Sequence, residues 1–425
     1  MNNFFEKVKS YLSKCGDDLS NNVYLNCISD AFSAILPLTI FGSLFALAIN
    51  IPIGVIRSWI EQQGLIPWLS LPSVFTIDII SVYVVFLVAY QYGKKRLPNS
   101  SINMGINALF CFLIITPLFR LTEGNSVINY ISLEWLGAKG LFVALVTGIV
   151  SAKMFEFIIK KNWVIKLSGN VSMTIFESFL ALLPTVVSGS FFLLIAYSFS
   201  FTRYNNIHEL MYQIIQIPLS SLGNSVWTVI IFTIVTSVLW WFGLHGGQIV
   251  GAISMTIFLP LSLENLSLHN SGEELRHIYT TAFESVYNFG GAGMTISLTL
   301  MMLFSKSTRY KQLGRLSIVS NLFNINEPTI FGFPIILNPV MLIPFILSPL
   351  ISMLIAYYAT YLGIVPKIIG YQLPWTIPPV ISGFLQGGYR VATLQIVLLV
   401  ITFFIYLPFF KKLENIEKEP SNLRL

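Results

Sequence analysis

Six stretches of the chain carry no Asp, Glu, Lys or Arg: residues 178–202, 210–244, 246–263, 285–305, 328–366 and 391–410. About 20 apolar residues cross the hydrocarbon layer as a helix, and several of these runs are longer than that. A water-facing exterior cannot be built from such segments. Only 10% of the 425 residues are charged, where a soluble domain uses about 25%. A signal peptide contributes one short apolar region and does not account for six. The expected fold class is therefore an all-α polytopic membrane protein, not a soluble protein with buried helices.

Hydropathy and charge together divide the chain into ten crossings, at 31–50, 73–92, 102–119, 138–159, 174–199, 225–242, 247–261, 291–305, 341–362 and 391–410. Basic residues accumulate in cytoplasmic connectors. Lys7, Lys9 and Lys14 precede the first crossing, and "GKKRLP" (93–98) follows the second. Lys160, Lys161 and Lys166 follow the fourth, Lys306, Arg309, Lys311 and Arg315 the eighth, and Lys411 and Lys412 the tenth. Counted in order, every cluster falls on one side, which places both termini in the cytoplasm. The opposite connectors, with "TEGN" (122–125), Glu134 and "ENLSLHNSGEELRH" (264–277), are mixed or acidic.

Two apolar segments resist a straight helix. Residues 323–340 contain "NEP", "GFP" and "NP", and 363–390 contain "PWTIPPVISGFLQGGYR". Proline removes a backbone donor, and broken backbone at membrane depth survives where protein or a watery cavity serves its polar groups. These segments read as re-entrant hairpins or unwound stretches lining a polar cavity, with extra complete crossings as the competing assignment. The chain divides accordingly into a regular scaffold and dimerisation half (1–200), a substrate-handling half (201–410) and a cytoplasmic tail (411–425).

The net charge of +6 is spread over short connectors, with no basic recognition helix, so no nucleic-acid partner is expected. Cys15, Cys27 and Cys111 offer neither a disulfide framework nor a CxxC pair. No metal or cofactor signal is present.

The polar residues left inside apolar sequence are the candidates for chemistry. Glu327 stands in "FNINEPTIFGFP" (323–334). An ionised carboxylate at membrane depth needs water, a cation or donors, because lipid burial costs roughly 2.5–3.5 kcal/mol on the translocon scale. Pro328 favours an extended Glu327. Asn324 and Asn326 add amide donors and acceptors, and the set suits a polyhydroxylated ligand. A loop in which Glu and Asn simply bind their own backbone is the other reading. His245, within "WWFGLHGGQ" (240–248), can donate, accept or carry a proton, or can be a satisfied core residue. Trp240 and Trp241 read as an interfacial belt or a sugar-facing surface. "FGGAGMT" (289–295) has no Walker lysine and reads as close helix packing or as exposed amides. Trp375 suits sugar stacking or interface anchoring, Gln386 is a further polar group in that segment, and Arg390 suits a phosphate or an anionic lipid.

Taken together, "FGLHGG" (242–247), "FGGAGMT", "NINEPTIFGFPIILNP" (324–339) and "PWTIPPVISGF" (374–384) resemble the membrane-embedded C component of the bacterial phosphoenolpyruvate-dependent sugar phosphotransferase system. The resemblance is to the lactose/cellobiose/diacetylchitobiose branch and runs over nearly the whole chain. It implies a multi-pass protein of the bacterial cell membrane with ten helices and re-entrant hairpins, usually a homodimer in contact with membrane lipid. Such a permease carries a disaccharide inward and presents its 6-hydroxyl to a phosphocysteine on a cytoplasmic B component. The resemblance places Glu327 and His245 at the catalytic and sugar-binding positions, with Asn324, Asn326 and Trp375 as further sugar contacts. None of the three cysteines lies in a B-type phosphoacceptor motif, so a separate B partner is expected. The competing function is a proton-coupled secondary sugar transporter in which Glu327 or His245 carries the proton.

Overall fold

The computed structural model describes residues 22–49, 54–123, 126–163, 173–218, 221 and 225–418. They form two compact units. One comprises the described residues within 22–46 and 65–221, the other those within 47–64 and 225–418. The first helix, α1 (Val23–Ile49), supplies residues to both units, and the short amphipathic α2 (Gly54–Gln62) belongs with the later half of the chain.

In the first unit, α3 (Ile66–Val74), α4 (Ile80–Arg96), α5 (Ser101–Ile115), α6 (Leu133–Leu136), α7 (Leu141–Lys160), α8 (Met173–Phe199) and α9 (Ile207–Met211) follow in order. On α4, Ser81, Val84, Val85, Val88, Ala89, Tyr92 and Gly93 are buried. That three-and-four spacing is one helical stripe, and it packs against α5 and α7. Small residues let the helices approach: a Cβ on Gly93 would stand 2.7 Å from Ser101 Cα. Polar groups in this apolar setting find partners across helices, as association in lipid favours. Ser188 of α8 donates to Asn107 of α5 at 2.9 Å, and Tyr92 of α4 donates to Glu156 of α7 at 2.5 Å. His208 is fully buried between Phe112 and Trp135, with Nε2 3.2 Å from Thr116 Oγ1; it packs as a core histidine.

The all-helical expectation misses one element. Strands β1 (Leu118–Glu123) and β2 (Ser126–Ile131) pair antiparallel where the sequence predicts the end of the crossing 102–119 and a plain connector. Branched and aromatic residues on both sides of Gly124–Asn125 are the signal for such a hairpin, and Phe119 and Tyr130 stack across it at 5.5 Å.

The second unit contains α10 (Val226–Trp241), α11 (Gly246–Asn270), α12 (Thr281–Tyr287), α13 (Ile296–Leu303), α14 (Thr308–Leu322), α15 (Glu327–Gly332), α16 (Pro339–Tyr361) and α17 (Ile381–Lys418). Helix α10 packs on α11 and α16, α13 on α14 and α17, and α14 on α15. Helix α17 is broken at Gly387–Gly388, where the backbone leaves helical geometry. Two apolar cores fill this unit. One joins α10, α11, α12, α16 and α17 around Phe283 and Met353, and the other gathers Trp240, Trp241, Met302, Phe333, Phe345 and Tyr406.

Each of the ten expected crossings overlaps helix, although 73–92 includes the break at 75–79 and 102–119 runs past the end of α5. Length and composition are more restrictive. Among the described residues six helices are long and apolar enough to cross a membrane, or seven if the pair Thr281–Met294 and Ile296–Leu303, bent by 52°, is one span. Four expected crossings fall outside the six: α4 and α10 are short, at 17 and 16 residues, the glycine loop divides the span around residue 290, and the 25-residue α11 is not among them. The two proline-rich segments are irregular, as their composition requires, at 323–326, 333–338 and 364–380.

One end of this unit hangs on a single amide. Asn265 is fully buried, donates to the carbonyls of His277 (2.8 Å) and Ile368 (3.1 Å), and accepts from the N–H groups of Arg276 (3.2 Å) and His277 (3.0 Å). Asn265→Ala strands several buried backbone groups, each worth about 1–3 kcal/mol. The expected result is an apparent melting midpoint in detergent lower by about 5 °C or more, read by thermal unfolding of the purified chain.

Candidate functional site

The carboxylate segment begins where α14 ends. Asn324 takes a left-handed conformation (φ +66°), which asparagine tolerates better than most residues. Its side chain then joins three segments. Oδ1 accepts from Gly290 N at 2.7 Å, and Nδ2 donates to the carbonyls of Trp375 (2.6 Å) and Ile377 (3.1 Å). Asn326, just before α15, is buried, and its Nδ2 donates to Ala292 O and Thr295 Oγ1, both at 2.7 Å. Both amide nitrogens, expected to meet a sugar, hydrogen-bond within the protein. Their partners lie in other segments, at 292–295 and 375–377, and not in the backbone of their own loop.

Glu327 differs. It is the first residue of α15 instead of lying in an extended strand, and Pro328 follows in the first turn, where its missing N–H breaks no helical bond. The side chain is half-buried, and Oε2 is buried with no hydrogen-bond partner among the described residues. A buried acceptor left without a donor carries a free-energy cost, and this one stands on a turn that is firmly held. Two residues on, Thr329 Oγ1 lies 3.1 Å from Thr299 Oγ1, and the fully buried Asn321 donates to both hydroxyls. The first turn of α15 is thereby tied to α13 and α14.

His245 caps α11. Its Nδ1 accepts from Gln248 N at 3.2 Å, so in the neutral ring the proton resides on Nε2, which is a donor. The residue is exposed, and its ring packs 4.3 Å from that of Trp240. Trp240 and Trp241 are themselves buried, at 5% and 3% exposure. Neither forms an interfacial belt or an open sugar platform. Trp241 instead laces the turn to the segment after α15: its Nε1 donates to Asn338 O at 2.9 Å, and its carbonyl accepts from Leu337 N at 3.0 Å. Gly243 (φ +81°) faces Ile336 in the same place.

The sequence motifs thus converge on one framework. Asn324 and Asn326 bind the glycine loop 290–295, Asn324 also binds the 375–377 backbone, and Trp241 ties the His245 turn to residues 337–338. Trp375 is 64% exposed and contributes a carbonyl to this framework while its ring stays free of the core. Gln386 is buried and donates to Tyr371 O at 2.8 Å. Arg390 is exposed, its guanidinium 6.0 Å above the Tyr389 ring.

Several supporting residues escaped the sequence reading: Thr295, Thr299, Asn321, Thr329 and Gln395. Gln395 accepts from Val380 N (2.6 Å) and Gly383 N (3.1 Å) and donates to Ser285 O (2.9 Å). Hydroxyls and amides at helical spacing inside apolar runs, such as Thr295 and Thr299, were the available signal. Among the described residues no group of His, Cys, Asp and Glu could hold a metal.

Comparison with known proteins adds to this geometry. Residues 29–349 match the family model "Phosphotransferase system, EIIC". The chain is 35% identical to the "PTS system oligo-beta-mannoside-specific EIIC component" of Bacillus subtilis (strain 168), over 98% of this chain and 96% of that one. It is also 35% identical to the "PTS system cellobiose-specific EIIC component" of Geobacillus stearothermophilus, over 96% and 94% of the respective chains. The crystal structure of ChbC, the IIC component from the N,N'-diacetylchitobiose-specific phosphotransferase system, superposes with a TM-score of 0.91 at 30% identity, covering 98% of this chain and all (100%) of that one.

The framework makes a prediction through two glycines of similar conformation. Gly272 (φ +73°) has open space around it, whereas a Cβ on Gly291 (φ +78°) would collide with the Asn326 side chain. Gly272→Ala should cost only the left-handed strain of about 1–2 kcal/mol. Gly291→Ala should lower the melting midpoint clearly further, and a comparison of the two midpoints under one condition checks this.

Proposed function

Because the chain belongs to the phosphotransferase-system EIIC family of sugar permeases, we propose that it imports a β-linked disaccharide and presents its 6-hydroxyl for phosphorylation by a separate cytoplasmic B component. The sugar class follows the relatives: their names specify cellobiose, oligo-β-mannoside and N,N'-diacetylchitobiose. A proton-coupled sugar carrier is not favoured by this membership. In this reading the chain makes ten crossings with re-entrant hairpins at the proline-rich segments, keeps both termini in the cytoplasm and pairs as a homodimer through its N-terminal half.

One observation carries the site assignment: Glu327 Oε2 is a buried acceptor without a donor, on a turn held by Asn321, Thr299, Thr329 and Asn326. A sugar hydroxyl is the donor that fits it. Glu327 accepts a hydrogen bond from the 6-hydroxyl and aims its oxygen at the incoming phosphorus. The hydroxyl proton passes to the Glu327 carboxylate as the O–P bond forms, and the S–P bond of the B-component phosphocysteine breaks to release its thiolate. Most of the rate gain in such a transfer comes from alignment and electrostatics. His245, its Nδ1 committed to Gln248, offers Nε2–H to a sugar oxygen. Trp375 offers its exposed ring to an apolar sugar face. Asn324 and Asn326 serve the same sugar by holding the Glu327 turn.

Glu327→Gln keeps the shape of the side chain and removes its charge and basicity. In vesicles supplied with phosphorylated B component, sugar 6-phosphate formation at subsaturating sugar should fall by about 100-fold or more; an unchanged rate rejects the carboxylate role. For His245→Asn, whose side-chain carbonyl can keep the helix cap, equilibrium sugar binding and single-turnover phosphorylation are measured separately. Weaker binding with a normal rate for bound sugar is expected. Uptake of unmodified sugar driven by a proton gradient, without B component, would overturn the function itself.

A further inference from the structure

The last two turns of α7 hold a constellation that sugar transfer does not use. Lys153, Glu156, Phe157, Lys160 and Lys161 line an open depression of about 450 Å³. From Lys153 the others follow at three, four, seven and eight residues, the spacing of a single helix face. Glu156 is already engaged by Lys160 (2.6 Å) and by the Tyr92 hydroxyl (2.5 Å). Lys153 and Lys161 have no carboxylate partner among the described residues. The Lys153 ammonium stands 5.2 Å from the Tyr24 ring centre, and that of Lys161 5.8 Å from the Phe157 ring centre. Nearby, Lys95 is paired with Asp30 at 2.8 Å, while Arg96 adds its positive field at Glu156. Among the described residues the depression therefore retains two cations without a carboxylate partner, beside exposed aromatic surface.

Depth identifies the occupant. Lys153 lies seven residues, or about 10 Å along the axis, before the end of a helix long and apolar enough to cross a membrane. A lysine so placed extends its stem along apolar surface toward the headgroup layer. Phe157, 53% exposed in the same face, calls for hydrocarbon, which a soluble anion does not bring. Basic pockets of this kind at the membrane boundary suit acidic lipid headgroups. We propose that this depression binds an anionic phospholipid, its phosphate meeting the Lys153 and Lys161 ammonium groups and its glycerol and acyl carbons covering Phe157.

The test uses the purified full chain in detergent and native mass spectrometry with phosphatidylglycerol and phosphatidylcholine of identical acyl chains. The natural chain should retain phosphatidylglycerol about ten-fold better than phosphatidylcholine. The double variant Lys153→Gln/Lys161→Gln, both at exposed positions, should lose that preference, whereas Lys306→Gln/Lys311→Gln should keep it. Equal retention of the two lipids by the natural chain, or an undiminished preference in the Lys153/Lys161 variant, overturns the proposal. Displacement of the phosphatidylglycerol by millimolar inorganic phosphate also overturns it, and assigns the depression to a soluble phosphate compound.

Discussion

Irregular backbone inside an apolar unit must satisfy its own N–H and C=O groups, because hydrocarbon offers no substitute for water. The loops at 288–295, 323–326, 333–338 and 371–380 exist only because side-chain amides and an indole supply the missing partners. Asn324, Asn326, Asn338, Gln386 and Gln395 each bind main-chain groups there, and Trp241 Nε1 does the same. Everything proposed for Glu327 and His245 depends on this lattice, since an acceptor aimed at a sugar is useful only when the turn beneath it does not move.

The lattice also explains a division of labour among similar residues. Asn324 and Glu327 lie three positions apart in one loop and look like equal candidates on paper. The amide is surrounded by carbonyls and an N–H, and its geometry is used up by them. Oε2 of the carboxylate is buried and meets no donor among the described residues. The same contrast holds around residue 240, where two tryptophans are spent on packing and lacing while the adjacent histidine remains exposed.

Much of this was legible from residue order alone. Charge-free runs marked the helices, and the family resemblance pointed to positions 245 and 327. The clustered prolines and glycines of 323–340 and 363–390 marked irregular backbone, while isolated prolines such as Pro37, Pro184 and Pro260 lie inside helices. Other features were hidden for physical reasons. A hydrogen bond such as Thr299 to Thr329 joins residues 30 positions apart, and no local pattern encodes it. The hairpin at 118–131 escaped because a hydropathy reading weighs only apolarity and charge. The placement of residues 47–64 with the second unit depends on tertiary contacts that local patterning does not contain. Trp241 could not be distinguished from an interfacial tryptophan without knowing that its N–H meets Asn338.

His245 holds two tasks on one ring. One nitrogen closes the first turn of a 25-residue helix, and only the other is free for chemistry. A truncated side chain at this position therefore disturbs helix initiation and ligand contact together, and a defect in such a variant has two inseparable origins. Asparagine, whose carbonyl caps helices well, would preserve the first task while abolishing the second. The imidazole is thus legible to mutagenesis only through a replacement chosen for the helix and not for the sugar.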